Sequence, residues 1–298
     1  MFNKISLSIF LLLIASIAIS FGGLIMRNIE VANAWQIIFY RSLFFSIIIL
    51  TIIIFQNRSS FYKSIKNVGY PGIMGAVFYT FANIMFVHAF ANTTVTNALF
   101  TLSSIPFITA ALAFFFLDEN INKRTISIMF VALLGIIIMI SEGLALGQIY
   151  GNIMALGTAV SFSCFTIILR KYRAVDMLPT ILIGGLIILS FTFFISLGNL
   201  SIPLNEIFLC FLWGGVLSGC VNYIFIHATR YLYASSVTFF MLFEFALGPF
   251  WVWIFLNETI SRNTFYGGIL VMVSVFIYST IEVLISRKKI QKGRINLN

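Results

Sequence analysis

The sequence predicts an all-α integral membrane protein of ten transmembrane helices, arranged as two inverted five-helix repeats. Composition is the first reason. Of 298 residues, 60% are hydrophobic and 9% charged, with a mean hydropathy of +1.05, which no water-soluble domain of ordinary composition shows. A duplication is the second. Asn83, Phe86, His88, Ala89, Phe116, Leu117 and Glu119 return as Asn222, Phe225, His227, Ala228, Phe255, Leu256 and Glu258, each 139 positions later (222 − 83 = 139; 258 − 119 = 139). Gly75 and Gly214, Phe100 and Phe239, Ile121 and Ile260, and Thr125 and Thr264 keep the same frame, so the match is a duplicated half and not chance. The third observation is where Lys and Arg fall, which sets the halves in opposite directions.

About twenty apolar residues cross a bilayer, and the punctuation divides the chain into ten such segments: 5–26, 35–55, 69–91, 95–117, 124–142, 150–170, 178–198, 207–229, 234–256 and 263–285. Lys4 ahead of segment 1 gives it the look of a secretory signal, but the run is long enough to span and nine more follow. The links are too short for a soluble domain, and no period-two alternation suggests an outer-membrane barrel. With the N-terminus in the cytoplasm, that side gathers Lys4; Arg58, Lys63, Lys66; Lys123, Arg124; Arg170, Lys171, Arg173; Arg230; and Arg287, Lys288, Lys289, Lys292, Arg294. Arg27 and Arg262 fall on the other side, and Arg41 inside segment 2 completes the 18. Both termini are therefore expected in the cytoplasm of a cell whose inner membrane holds the chain. Five is odd, so the second repeat enters from the opposite side. The repeats are expected at 1–142 and 143–298, with a seam near Ser141 to Gly151 and a basic tail at the end.

Within the segments, residues that lipid does not tolerate mark candidate sites. Arg41 lies in segment 2, about six positions from the end marked by Trp35. A guanidinium at that depth costs roughly 2.5–3.5 kcal/mol on insertion scales, so it either faces a wet cavity or an acidic partner, or snorkels to the interface. Asn83 in segment 3 and Asn222 in segment 8 sit on faces with small residues (Gly72, Gly75, Ala76 with Tyr79; Gly215, Ser218, Gly219), where amides either bond across a helix contact or line a cavity. His88 and His227, near opposite helix ends, are read as structural or interfacial.

Pro106 in segment 4 and Pro249 in segment 9 each free a carbonyl one turn earlier, near Leu102 and Phe245, and permit a kink that suits gating, although such kinks also occur without a role. Asn97, Thr101 and Ser104 form a polar stripe on segment 4. Asp118 and Glu119, beside Lys123 and Arg124, read as a helix-end ion-pair cluster and not a metal pair. Glu244 stands near the middle of segment 9. A carboxylate there pairs with a cation or takes up a proton, since burial disfavours the charged form, or it is a neutral group hydrogen-bonded between helices. Met241, Glu244, Gly248 and Trp251 share its face, which offers a charge, backbone access and an aromatic wall to a small amphipathic ligand.

Other chemistries are excluded. The chain has no G-x-x-x-x-G-K-[ST] loop, no H-E-x-x-H and no G-x-S-x-G, and its two His are too few for a membrane di-iron site. Three cysteines in apolar runs (Cys164, Cys210, Cys220) form neither a disulfide framework nor a thiolate metal site. The +9 charge is topology, with no basic face for nucleic acid. No enzyme activity, cofactor or metal is expected. Gly215 and Gly219 form a G-x-x-x-G that serves either internal packing or a homodimer.

The motifs S-I-P-F at 104–107 with F-L-D-E-N-I at 116–121, and L-F-E-F-A-L-G-P-F at 242–250 with F-L-N-E-T-I at 255–260, resemble the EamA-domain members of the drug/metabolite transporter superfamily. S-F-G-G at 20–23 and W-Q-I-I-F-Y-R at 35–41 look like that family's first two helices, so the likeness covers nearly the whole chain. It implies two EamA repeats around a central cavity, alternating access, and a small polar or amphipathic metabolite such as an amino acid as substrate. By position it places Tyr79, Asn83, Asn222, Glu244 and Trp251 on the cavity, with the departure that Glu244 stands where the first half has Ile105. The expected function is transport of a small zwitterion, Arg41 and Glu244 supplying opposite charges. Rival readings are a channel-like facilitator, a non-transporting sensor or interaction protein, and a membrane enzyme; an enzyme would need a cluster of ionisable groups that the chain does not have.

Overall fold

A backbone surrounded by lipid must satisfy its own hydrogen bonds, and the apolar runs do so as helices, with no strand among the described residues. A computed structural model describes residues 4–56, 61–93, 95–119, 122–140, 149–256 and 262–295. In chain order these form α1 (Lys4–Ile19), α2 (Gly22–Arg27), α3 (Ala34–Gln56), a short α4 (Phe61–Asn67), α5 (Gly69–Asn92), α6 (Val95–Leu102), α7 (Ile105–Leu117), α8 (Lys123–Ile140), α9 (Ile149–Lys171), α10 (Leu178–Ile195), α11 (Leu204–Cys210), α12 (Gly219–Thr229), α13 (Ala234–Phe240), α14 (Leu242–Leu256) and α15 (Arg262–Ile295). A π-helical stretch, Phe211–Ser218, joins α11 to α12.

Among the described residues, seven helices are long and apolar enough to cross a membrane: Lys4–Arg27, Ala34–Gln56, Gly69–Asn92, Ile149–Lys171, Leu178–Ile195, Leu204–Thr229 and Ala234–Phe255. Ile105–Leu117 and Phe265–Tyr278 are shorter apolar helices. The expected fourth segment is divided at Ser103–Ser104 because Pro106 has no N–H for the Leu102 carbonyl and α7 must start anew. Large apolar side chains such as Phe10, Phe81, Phe115 and Phe194 point outward, an arrangement suited to lipid.

The helix ends sort into two faces. On one, Lys4 lies over the Tyr231 ring, Arg230 pairs with Asp176 at 2.6 Å, and Arg170 pairs with Glu119 at 2.6 Å. On the other, Gln36 Nε2 donates to the Asn199 carbonyl, Tyr40 donates to the Leu200 carbonyl, and Thr93 bonds Asn152. Segment α5 ends at the second face, whereas its sequence match α12 ends at the first, so the matched helices run in opposite directions. The packing repeats too: α5 lies on α9 and α10, and α12 with the π-helical stretch lies on α1 and α3.

The Asp118–Glu119 doublet is placed differently from the expected cluster with Lys123 and Arg124. Asp118 adopts a left-handed conformation (φ 53°) that stops α7, and this swings Glu119 toward Arg170, 51 residues away. The Gly215–Gly219 motif is used inside the chain: a Cβ at Gly219 would lie 2.9 Å from Ile48, and one at Gly215 would lie 3.3 Å from Phe44. The seam residues 141–148 lie outside the described residues.

Glu206, which carried no signal in the sequence, pins the second face. Its carboxylate is 2% exposed and accepts the backbone N–H groups of Glu30, Val31 and Ala32 at 2.8–3.0 Å, tying the link after α2 to the start of α11. Glu206→Ala orphans all three donors, at a cost of about 3 kcal/mol or more. Thermal unfolding in detergent is expected to show a midpoint several degrees lower, whereas replacing the exposed neighbour Leu204 leaves it unchanged.

Candidate functional site

Inside the helices lies a cavity whose wall is built from matched residues. Tyr79 and Ser218, Asn83 and Asn222, Phe86 and Phe225, Leu102 and Met241, and Ile105 and Glu244 all line it, each pair separated by 139. The symmetry relating the halves therefore passes through this space. The cavity leaves about 100 Å³, several times the minimum that one water needs.

Arg41 enters from α3, held in place by close backbone packing. A Cβ on Gly214 would lie 2.2 Å from the Arg41 carbonyl oxygen, so only glycine allows the π-helical stretch to come this near. Gly75 meets the matching residue Thr180 in the other half (180 − 41 = 139), but through its side chain at 3.0 Å, and there the partner is uncharged. The guanidinium lies 4.4 Å from the Trp213 ring centroid and 5.2 Å from that of Phe86. Its Nη2 reaches Ser218 Oγ at 3.4 Å, and its buried Nε has no hydrogen-bond partner among the described residues. Rings, not a counter-charge, hold the cation.

Glu244 faces the same cavity and is 8% exposed. The chain interrupts its helix at Met241, which puts Glu244 in the first turn of α14, where the helix dipole favours an anion. No ion pair joins Glu244 to Arg41 among the described residues. Asn83 Nδ2 donates to the Tyr79 carbonyl and Asn222 Nδ2 to the Ser218 carbonyl, both at 2.9 Å. Each amide nitrogen is thus satisfied on its own helix while the side chain borders the cavity. Tyr79, 2% exposed, packs between Phe45 and Phe165.

Other expected residues fall elsewhere. Trp251 is not part of the cavity wall; it stacks on Phe21 at 4.4 Å and donates Nε1 to Ser20 Oγ at 2.7 Å. Gly248 faces Leu99. The face read from helical spacing therefore divides, Met241 and Glu244 inward and Gly248 and Trp251 against neighbouring helices. On segment 4, Leu102 and Ile105 line the cavity, while Ser104 bonds back to the Thr101 carbonyl and the Asn97 side chain is outside the described residues. Pro106 is buried at the start of α7. The Pro249 side chain lies outside the described residues, and α14 runs unbroken past that position. His88 packs edge-on to Trp35 and His227 to Tyr223, near the helix ends.

Trp213 and Phe86 were not singled out as site residues in the sequence. The signal was present in Trp213-Gly214-Gly215, an aromatic residue next to the glycine that repeats Gly75. Among the described residues, no group of three His, Cys, Asp or Glu could hold a metal ion.

A family model described as the EamA-like transporter family matches residues 6–141 and again residues 146–280. The chain belongs to this family. Like other EamA-like proteins it is therefore a small-molecule transporter of the membrane and not an enzyme. An S-adenosylmethionine uptake transporter of Rickettsia bellii (strain RML369-C) is 22% identical over 268 residues, covering 88% of each chain. A solved structure, described only as a crystal structure of protein, superposes with a TM-score of 0.74 at 12% identity, covering 95% of this chain and 98% of that one; it shares the fold.

Any side chain at position 214 must push the π-helical stretch away from α3 and take Trp213 with it. Gly214→Val is expected to cost about 1–3 kcal/mol by overpacking. It should also weaken quenching of Trp213 fluorescence by solutes that enter the cavity, measured against a background in which the other tryptophans are phenylalanine.

Proposed function

We propose that this EamA-like transporter carries a compact amphipathic zwitterion, an amino acid or a derivative of one, across the inner membrane by alternating access. Arg41 takes the carboxylate and Glu244 the ammonium, with Asn83, Asn222 and Tyr79 orienting the polar end and Phe86, Phe225 and Trp213 facing the apolar remainder. The observation that carries this reading is a guanidinium and a carboxyl group, not joined in an ion pair, opening onto one otherwise largely apolar cavity between the halves. A guanidinium fork is suited to a carboxylate, and desolvated charges reject solutes that leave one of them unmatched. The S-adenosylmethionine named for the Rickettsia relative contains an α-amino acid, which fits the same two charges. In this reading the shorter helices complete ten spans in repeats 1–142 and 143–298, both termini lie in the cytoplasm, and Pro106 and Pro249 mark where segments 4 and 9 bend during the cycle.

Counterflow in reconstituted liposomes, with a panel of zwitterionic amino acids and S-adenosylmethionine, tests the assignment. Uptake should saturate, as a carrier's does and an open channel's does not. Losing the partner of a desolvated charge costs roughly 2–5 kcal/mol, so Arg41→Ala is expected to raise the half-saturation concentration by about thirtyfold or more. Glu244→Gln should weaken ammonium-bearing substrates and spare their deaminated analogues. Protonating Glu244 removes the ammonium's partner, so half-saturation should rise as pH falls in the native protein and stay flat in Glu244→Gln. Equal losses for both kinds of substrate would remove Glu244 from the site.

A further inference from the structure

Beside Arg41 the helices enclose a second, much smaller space. Arg41, Tyr79, Asn83 and Ser218 border both it and the central cavity. Ser42 and Phe45 of α3 and Ile188 of α10 complete its wall. About 10 Å³ is open within it, the least that one water needs, so it admits a single oxygen-sized atom. Its wall is also mostly polar, whereas that of the central cavity is largely apolar.

Two glycines of α10 set its size. A Cβ at Gly184 would lie 2.8 Å from Tyr79 on α5, and one at Gly185 would overlap Ser46 Oγ on α3, so α10 lies close against both helices. One turn after Gly184, Ile188, 1% exposed, closes on the small space. Phe45 stacks on Tyr79 at 5.7 Å, and a wall packed in this way does not widen without cost. The duplication does not repeat its chemistry. In the 139 frame Arg41, Ser42 and Phe45 fall on Thr180, Ile181 and Gly184, so the cation and the adjoining hydroxyl occur together in one half only.

The guanidinium keeps unused donors next to this space. Its buried Nε has no hydrogen-bond partner among the described residues, and Nη2 reaches Ser218 Oγ only at 3.4 Å. Because Trp213 and Phe86 cover it with their rings, the edge of its plane is left for an anion. We propose that the small space is a carboxylate socket. One oxygen of the substrate carboxylate enters it, between the Arg41 N–H groups and Ser42 Oγ, and the other remains in the central cavity on Arg41. A planar carboxylate divides in this way with both oxygens along the guanidinium edge. A sulfonate or phosphonate carries a third oxygen out of that plane, which must face the electron-rich rings or enter a space with room for one atom. Ser42, by donating to the seated oxygen, and Ile188, by limiting the socket, are therefore specificity-determining residues. The proposal rests on the reading of Arg41 as the carboxylate's partner.

Acetate alone is the probe, and methanesulfonate is its tetrahedral counterpart. The readout is Trp213, whose ring centroid lies 4.4 Å from the guanidinium. Its fluorescence is followed at fixed ionic strength in the full chain in detergent, with Trp35, Trp251 and Trp253 replaced by phenylalanine. Acetate should give a saturable change, and methanesulfonate should need a concentration about tenfold higher or more. Ser42→Ala removes a hydrogen bond to a charged group and should raise the half-saturation of acetate about tenfold. Ser42→Val fills the socket and should raise it further; if that variant does not fold, Ser42→Ala carries the test. Ile188→Val widens the socket, so a second oxygen can enter and the gap between the two anions should narrow. An unchanged acetate response in folded Ser42 variants overturns the socket, and so do native responses that are alike for the two anions. No saturable response to acetate overturns it as well, even where zwitterion counterflow succeeds. A Ser42-dependent acetate response beside failed counterflow upholds the socket and overturns the substrate assignment alone.

Discussion

The structure depends on a single intolerance: a charge at bilayer depth must meet water, a counter-charge or a polar ligand. Arg41 and Glu244 are both placed where lipid would otherwise reject them, and the fold answers by enclosing a common cavity. Its other features follow from holding these groups. Gly214 lets the π-helical stretch approach Arg41, Trp213 and Phe86 cover the guanidinium, and the interruption at Met241 puts a carboxylate at a helix start.

Duplication explains the cavity's shape, and departures from duplication explain its chemistry. Arg41 corresponds to Thr180 and Glu244 to Ile105, so each charge has an uncharged mate at the related position. A strictly twofold wall would carry each group twice; this one carries a single guanidinium from one half and a single carboxyl group from the other. The helix interruptions keep the symmetry more closely than their cause does. Ser103–Ser104 and Met241 fall within one or two residues of matching places (103 + 139 = 242), but Pro106 lies just after the first and Pro249 eight residues after the second. Interrupted helices at corresponding places in two repeats are a recurrent way of exposing polar groups at the midplane.

Much of this was legible in the sequence, because it follows from spacing and from intolerance. The 139-residue offset, the alternation of basic links and the isolated Arg41 and Glu244 need no tertiary information. Side-chain direction was less legible. Helical spacing grouped Trp251 with Glu244, yet α14 begins afresh at Leu242 and Trp251 turns toward Ser20 and Phe21. Sequence proximity likewise suggested Lys123 and Arg124 as partners for Glu119, and the true partner is Arg170, because the left-handed turn at Asp118 redirects the chain. Glu206 gave no hint, since a carboxylate that caps three backbone donors looks in sequence like any acidic residue at a helix start. Segment 4 shows a similar limit: hydropathy finds one apolar run, and the structure divides it into α6 and α7 at Ser103–Ser104.

In the proposed reading, holding Arg41 by aromatic faces and not by Glu244 also shapes how the cavity selects. Were the two charges paired with each other in the empty protein, a zwitterion would have to separate them, and much of its binding free energy would be consumed in doing so. Kept apart, both groups are already oriented, and the ligand that gains most is one that brings a carboxylate and an ammonium together. A solute with one charge satisfies one residue and leaves the other desolvated and unmatched, so discrimination comes from the partner left over as much as from the contact made. The cation–π contacts serve this arrangement because they stabilise the guanidinium without occupying its N–H donors.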